Sequence, residues 1–122
     1  MLAVVLFPGV ASADEMTWEG TWNNKKYGTS GPLKCVATET KKGQWSGTFT
    51  GTFKGDPFKY EATFRSRKAR GGQALAGTAT IRGHQYQWTG SMKDGTLSGK
   101  YRNNVGYYGE FVLQQSSARN GD

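Results

Sequence analysis

The stretch Gln44–Phe53, QWSGTFTGTF, decides the fold class of this chain. Its alternate residues fall into two sets, and a period of two is that of an extended strand with one buried face. One set is aromatic or glycine: Trp45, Gly47, Phe49, Gly51 and Phe53. The other is polar: Gln44, Ser46, Thr48, Thr50 and Thr52. The stretch therefore predicts a β-strand whose inner face alternates rings with glycine.

The same alternation continues on both sides of this strand. It predicts eight strands, at 18–22, 33–38, 44–53, 58–67, 74–82, 85–92, 96–102 and 107–114. The connections are short and rich in turn-forming residues, and Asp94-Gly95 is a strong signal for a two-residue hairpin. Short connections place consecutive strands side by side and antiparallel. We predict an all-β, antiparallel up-and-down meander barrel of about eight strands, with a two-sheet β-sandwich as the alternative.

The chain has 18 glycines and 16 aromatic residues, and those within the strands mostly share the inner faces. A glycine flanked at two residues' distance by large side chains recurs in segments such as Trp18–Trp22, Trp88–Met92 and Tyr107–Phe111. Glycine weakens a strand and usually marks sharp coiling or close packing. We predict that an aromatic ring from a neighbouring or opposite strand occupies the space that each glycine leaves free. This arrangement suits a small, strongly curved barrel.

The first thirteen residues have the pattern of a targeting segment. Leu2–Val10 is apolar apart from Pro8-Gly9, and Ala11-Ser12-Ala13 has the small-residue pattern of a cleavage site. We predict that 1–13 is the end of a signal peptide, although no basic residues precede it and the true start codon is open. A short buried strand is the alternative. The mature protein, 14–122, would be a single barrel domain with a disordered tail at 115–122, secreted or periplasmic and not membrane-spanning.

Gly20-Thr21-Trp22 resembles the G-x-W signature of the calycins, which include lipocalins, fatty-acid-binding proteins and avidins. Trp22-Asn23-Asn24 followed by Gly28-Thr29-Ser30 is similar to the opening from which avidins take ligand hydrogen bonds. The segment before Thr29 is one residue longer, and Phe111 stands where an avidin carries Trp. The pattern also resembles small exported bacterial proteins without an established function, and by architecture secreted bacterial barrels that inhibit metalloproteases. The resemblance implies a secreted ligand-binding barrel.

The residues that most enzymes need are scarce. His84 and Cys35 are the only histidine and cysteine, and local spacing places no two of the nine carboxylates for acid–base chemistry. We predict a protein that is not an enzyme, with no catalytic residues, metal ligands or cofactor. A hydrolase would need an acid or a histidine placed in a cleft, and a close approach of His84 to Asp94 or Glu61 would indicate one. We expect Cys35 to be a buried, inert thiol, with an intermolecular disulfide or a reactive thiol as the alternatives.

The inner rings and the basic surface are the two candidate binding features. The rings either fill the barrel or line a pocket for a small, partly apolar molecule. The candidate ligand-binding residues are Trp22, Asn24, Trp45, Tyr60, Tyr86, Trp88 and Tyr101.

The formal net charge is +7, and a segment rich in arginine favours polyanions such as an anionic polysaccharide of the cell envelope. The candidate polyanion-binding residues are Lys59, Arg65, Arg67, Lys68 and Arg70. Predicted export and the absence of any nucleic-acid-binding motif disfavour nucleic acid. We therefore predict a non-catalytic secreted binding protein for a small ligand; a polyanion-binding envelope protein or a protease-inhibitor-like barrel is the alternative.

Overall fold

The computed structural model describes residues 15–81 and 83–116. Segment 1–13, for which we predict a signal peptide, lies outside the described residues. The strands are β1 (Glu15–Asn24), β2 (Thr29–Lys41), β3 (Gln44–Phe53), β4 (Asp56–Ala69), β5 (Gly72–Ile81), β6 (His84–Lys93), β7 (Thr96–Asn103) and β8 (Tyr108–Gln115). The alternation thus identified every strand, because each has one apolar and one polar face. None of the described residues belongs to a helix that is long and apolar enough to cross a membrane.

The eight strands form one closed antiparallel barrel in sequence order. β8 closes it by pairing with β1, in a register that runs from Trp18 opposite Gln115 to Asn24 opposite Gly109. Closure pairs the two edges that an open sheet would leave unsatisfied. The predicted up-and-down barrel is confirmed, and the two-sheet sandwich is excluded.

Tight turns connect most of the strands. Lys54-Gly55 and Asp94-Gly95 each have positive φ at both residues, with 51° and 86° in the first turn and 52° and 80° in the second. Two positive φ values characterise the type I′ hairpin turn, whose twist matches that of the flanking strands. Asp94-Gly95 is therefore the hairpin that the sequence predicts.

The up-and-down order divides the connections between two ends of the barrel. The links after β1, β3, β5 and β7 lie at what we call the open end. The links after β2, β4 and β6 lie at what we call the closed end. The side chains of the closed half are packed together, and Trp18, Cys35, Leu97 and Leu113 have no exposed surface.

Some inner glycines lie beneath rings from neighbouring strands, and others lie against backbone or small side chains. A Cβ atom on Gly77 would come within 2.7 Å of the Trp88 ring, and one on Gly99 would come within 2.6 Å of the Phe111 ring. Both distances are shorter than Cβ contacts in proteins, so the rings fit because the side chain is absent. The expectation is thus correct for these two glycines, but it is wrong for Gly20, Gly47 and Gly90, where a Cβ would meet backbone atoms of the neighbouring strand or, at Gly47, the Ala37 Cβ.

The end of the barrel lies further along the chain than the sequence suggests. Gln115, the first residue of the predicted disordered tail, is the last residue of β8. The Ser116 backbone N–H donates a hydrogen bond to the Thr17 carbonyl oxygen over 2.7 Å. Pairing with β1 therefore extends two residues into that segment, and 117–122 lie outside the described residues.

Candidate ligand-binding site

The open half of the barrel contains a cavity of about 360 Å³. Its volume lies within the range of roughly 300–1,000 Å³ that is usual for small-molecule sites. Fifteen residues line it: Trp22, Asn24, Leu33, Phe49, Phe53, Phe58, Tyr60, Ala79, Ile81, His84, Tyr86, Trp88, Tyr101, Tyr107 and Phe111. The two interpretations of the inner rings thus each apply to one half of the barrel, a packed core in the closed half and a lined cavity in the open half.

Three rings separate the cavity from the packed core. Phe49, Trp88 and Phe111 line the cavity, yet none is more than 6% exposed. They meet edge to face, with ring centroids 6.4 Å apart for Phe49 and Trp88, 5.9 Å for Phe49 and Phe111, and 5.4 Å for Trp88 and Phe111. Edge-to-face contacts of this length are favourable between aromatic side chains. The three rings therefore form a floor that belongs to the core.

Stacked rings form one wall above this floor. Tyr60 stacks on Phe49 with centroids 5.3 Å apart and on Phe58 with centroids 6.0 Å apart. Trp22 lies 6.1 Å from Phe58, and its Nε1 donates a hydrogen bond of 3.3 Å to the Thr52 carbonyl oxygen. That bond fixes the indole across β2. The wall offers flat apolar surfaces to a ligand.

The hydroxyl groups of the described lining come from four tyrosines. The Tyr101 hydroxyl donates a hydrogen bond to the Asn23 carbonyl oxygen, and its ring lies 5.9 Å from that of Tyr86. Burial, and secondarily the nearby Tyr86, raise the pKa of Tyr101 to about 12. Burial also raises the pKa of Tyr60 well above its usual value. The phenols therefore stay neutral near pH 7 and provide hydrogen-bonding groups without charge.

Asn24 lies at the rim of the cavity, where its oxygen is engaged in the β1–β2 loop. Its Oδ1 accepts hydrogen bonds from the Lys26 and Tyr27 backbone N–H groups, at 2.9 and 3.2 Å. Asparagine commonly shapes a turn in this way. The side-chain oxygen thus holds the loop, whereas the resemblance to avidins implies hydrogen bonds to a ligand.

Six of the seven candidate ligand-binding residues line the cavity, and Trp45 does not. Trp45 stacks on Phe64 at 5.7 Å, contacts Trp18 edge to face at 6.2 Å, and donates a hydrogen bond of 3.0 Å to the Ser66 Oγ. It is near the start of β3, at the closed end, and is therefore part of the packed core. The prediction that Trp45 is a ligand-binding residue is therefore wrong.

Several lining residues were not identified from the sequence. Phe53 and Phe58 flank the β3–β4 turn, and Ile81 and His84 flank the link between β5 and β6. Phe53 is 39% exposed, because it is the last residue before its turn. Their positions in the sequence could have identified them. In an up-and-down barrel every second turn lies at the same end, so inner residues beside those turns lie near one another.

The basic segment runs along β4 to the closed end. Arg65, Arg67, Lys68 and Arg70 are all exposed. Lys59 is exposed too, but it lies six residues, or about 20 Å of strand, from Arg65. The structure therefore groups four of the five candidate polyanion-binding residues and leaves Lys59 apart.

Two further lysines, Lys42 and Lys93, lie beside this group. Lys42 precedes Gly43, whose carbonyl oxygen accepts a hydrogen bond of 2.9 Å from the Ser66 backbone N–H. A Cβ atom on Gly71 would come within 3.1 Å of the Lys93 Cε. Hairpins at the closed end thus bring their cations together. We call the six residues Lys42, Arg65, Arg67, Lys68, Arg70 and Lys93 the basic end.

His84 does not lie near Asp94, one of the two carboxylates considered as its partner. His84 begins β6 and Asp94 follows the end of β6, so the two lie at opposite ends of the barrel. Within 15–81 and 83–116, no group of three or more His, Cys, Asp and Glu residues is placed to hold a metal ion. Cys35 is buried, and burial raises the pKa of its thiol to about 12. A thiol with this pKa is a poor nucleophile near neutral pH.

No family model matches the chain, and no curated protein matches it. Among solved structures it is similar to a de novo designed fluorescence-activating β-barrel. The identity is 11% and the TM-score is 0.60, over 88% of this chain and 100% of the designed one. At this identity, the similarity is one of barrel fold.

Proposed function

We propose that this chain is a non-catalytic binding protein that holds a small, flat, largely apolar molecule in the open half of its barrel. The observation that carries the proposal is the cavity of about 360 Å³, which lies above a floor of three buried rings. The barrel has enough aromatic side chains to fill its interior, yet the open half contains a cavity. A preformed apolar cavity with a few convergent polar groups is the usual form of a small-molecule site.

The lining limits the chemistry of the ligand. Stacked rings favour a planar or aromatic body, and the tyrosine hydroxyls can orient a polar substituent on it. The lining contains no Lys, Arg, Asp or Glu among the described residues. A charge in the interior would therefore lack a partner, which makes its burial costly. The similar barrel fold of a designed fluorescence-activating protein supports the suitability of this architecture for such a role.

A fluorescence titration with N-phenyl-1-naphthylamine tests the proposal. This neutral, flat probe emits strongly only in apolar surroundings. We expect saturable binding by the wild-type chain at one site. Ala79 lines the cavity and is 6% exposed, so Ala79→Phe places a ring in the space that the probe needs.

The matched control is Thr78→Phe, since Thr78 precedes Ala79 on β5 and is exposed. We expect Ala79→Phe to lose at least about tenfold in affinity, a change of about 1.4 kcal/mol, and Thr78→Phe to bind as the wild type does. The proposal fails when the wild type shows no saturable binding, or when both variants bind equally while remaining folded by circular dichroism.

We further propose that the protein is exported, on the pattern of 1–13, and that it acts outside the cytoplasm. The G-x-W signature and the barrel fold together support a calycin-like origin. The N-terminus of the mature protein tests export: mass spectrometry of protein from a secreting host is expected to give a chain that begins at Asp14. Recovery of the uncleaved chain from the cytoplasm would contradict it.

The basic end supports a second candidate function, the binding of an anionic polysaccharide or another envelope polyanion. Its six cations come from the β2–β3, β4–β5 and β6–β7 hairpins and the end of β4, so the grouping depends on the fold. Among the described residues, none of the six forms an ion pair with a carboxylate. Arginine side chains bind sulfate and carboxylate well because each guanidinium can donate two parallel hydrogen bonds to one anionic group.

Elution from a heparin column tests this second function. We expect Arg65→Gln/Arg67→Gln to elute at lower salt than Lys34→Gln/Lys100→Gln, which has the same net charge. Lys34 and Lys100 are exposed on the outer faces of β2 and β7. Equal elution of the two variants would mean that net charge alone governs retention, and the function would be rejected.

A further inference from the structure

The rim of the cavity differs from its interior in charge. Inside, the polar groups of the described lining are hydroxyls, one amide, the Trp indoles and the His84 imidazole. At the open end, two links between strands each carry a lysine beside a ring that belongs to the lining. These are Lys26 in the β1–β2 loop and Lys54 in the β3–β4 turn.

Lys26 lies against two tyrosine rings. Its Nζ is 5.5 Å from the centroid of the Tyr107 ring and 5.6 Å from that of Tyr27. The two rings meet edge to face at 5.5 Å. Tyr107 lines the cavity, so this ammonium group lies at the cavity edge. Cation–π attraction of this length holds an ammonium group over a ring while leaving its N–H groups able to donate.

Lys54 makes a similar cation–π contact with a different ring of the lining. Its Nζ is 5.5 Å from the centroid of the Phe53 ring, which also lines the cavity. Phe53 in turn lies 6.0 Å from Trp22. Lys54 occupies its turn with a positive φ of 51°, which a residue other than glycine adopts infrequently.

The acidic residues near the rim leave these two cations available. Glu110 forms an ion pair of 3.3 Å with Lys25, the neighbour of Lys26. Asp56 follows the turn that contains Lys54, yet no ion pair joins Lys54 to a carboxylate among the described residues. The rim therefore presents two ammonium groups above an aromatic cavity whose described lining contains no Lys, Arg, Asp or Glu.

We propose that the ligand is an amphipathic organic anion, with a flat apolar body in the cavity and an anionic head group at the rim, against Lys26 and Lys54. This inference rests on the proposed function and adds the charge and the orientation of the ligand. The head group stays in water at the open end, so its charge is not desolvated, and the body takes up the apolar space below. A carboxylate, a sulfonate and a phosphate share this chemistry.

Two probes that differ by one sulfonate separate this proposal from the proposed function. N-Phenyl-1-naphthylamine is neutral, and 8-anilino-1-naphthalenesulfonate has the same ring system with a sulfonate. We expect both to bind to the wild type, and the sulfonate to bind about three- to tenfold more tightly in low salt, the effect expected of one or two exposed ion pairs. In 1 M NaCl, where the screening length is about 3 Å, the preference is expected to vanish.

The variant that tests the two lysines is Lys26→Gln/Lys54→Asn, since asparagine tolerates positive φ. Its control, Lys34→Gln/Lys100→Gln, has the same net charge and changes residues outside the cavity lining. We expect the first variant to lose the preference for the sulfonate while it binds the neutral probe as before, and the control to keep it.

The three possible failures give different binding results. If the wild type binds both probes within about twofold of each other, the anionic head group is rejected and the cavity function stands. If the rim variant keeps the preference, or the control loses it, the assignment to Lys26 and Lys54 is overturned. If neither probe binds to the folded wild type, the proposed function itself has failed.

Discussion

The Tyr101 hydroxyl donates a hydrogen bond of 2.5 Å to the carbonyl oxygen of Asn23, 78 positions earlier in the chain. Tyr101 is on β7 and Asn23 is on β1, so the side chain crosses β8 at its partner Gly109. A Cβ atom on Gly109 would come within 2.7 Å of that hydroxyl oxygen. Glycine at this position thus lets one side chain join two strands that are not neighbours.

Removal of this hydroxyl is expected to cost stability. Tyr101→Phe leaves the ring in place and removes the bond to Asn23, and a typical intramolecular hydrogen bond contributes about 0.5–1.5 kcal/mol. The control is Tyr108→Phe, because Tyr108 is 49% exposed. Urea denaturation measures both. Equal unfolding free energies for the two variants would show that the bond across Gly109 contributes nothing.

A methyl group at Gly77 is expected to be poorly tolerated. Its Cβ would lie 2.7 Å from the Phe64 Cβ and from two atoms of the Trp88 indole, so Gly77→Ala must displace a ring of the cavity floor. Overpacking of this kind costs about 1–3 kcal/mol. Ala76→Val adds volume at the neighbouring exposed position of β5 and serves as the control.

Urea denaturation and the near-ultraviolet circular dichroism of the indoles check this prediction. We expect Gly77→Ala to unfold at lower urea with an altered aromatic signal, and Ala76→Val to match the wild type. If Gly77→Ala is as stable as Ala76→Val, the space above Gly77 is larger than the contacts indicate.

The sequence was sufficient for the barrel but not for the division of its interior. Alternation identifies the inner face of each strand because one face of every strand is buried, and it correctly assigns both Trp45 and Trp88 to that face. It does not give the height of a residue along the barrel axis, which depends on how each strand is staggered against the next. For that reason the pattern does not distinguish Trp45, which lies in the packed half, from Trp88, which lines the cavity. The ammonium–ring contacts of Lys26 and Lys54 depend on side-chain placement, which no local pattern encodes.

Buried phenols are expected to make the fold sensitive to alkali. Burial raises the pKa of Tyr101 to about 12, and it raises the pKa of Tyr60 further, helped by the proximity of Cys35 and Tyr101. An unfolded tyrosine has a pKa of about 10. Above that pH the unfolded chain binds fewer protons than the folded chain, so stability falls as pH rises. The loss begins near pH 10 and continues through the folded-state pKa values.

Urea denaturation at pH 9 and pH 11 measures this dependence. We expect Tyr60→Phe to lose less stability between the two pH values than the wild type, because one group that releases its proton only on unfolding has been removed. Tyr108→Phe, which changes an exposed phenol, is expected to follow the wild type. If Tyr60→Phe has the same pH dependence as the wild type, the Tyr60 phenol titrates normally in the folded state.

The thiol of Cys35 is expected to be unreactive until the barrel opens. The side chain has no exposed surface, and burial raises its pKa to about 12, so both access and thiolate content are low near pH 8. We expect Ellman's reagent to label no thiol of the native protein at pH 8 and one per chain in guanidinium chloride. Thr63→Cys, at an exposed position of β4, is the control and should add one thiol that reacts at once. Rapid labelling of the native wild type, or a disulfide-linked dimer on non-reducing electrophoresis, would contradict the burial of Cys35 and the closed packing around it.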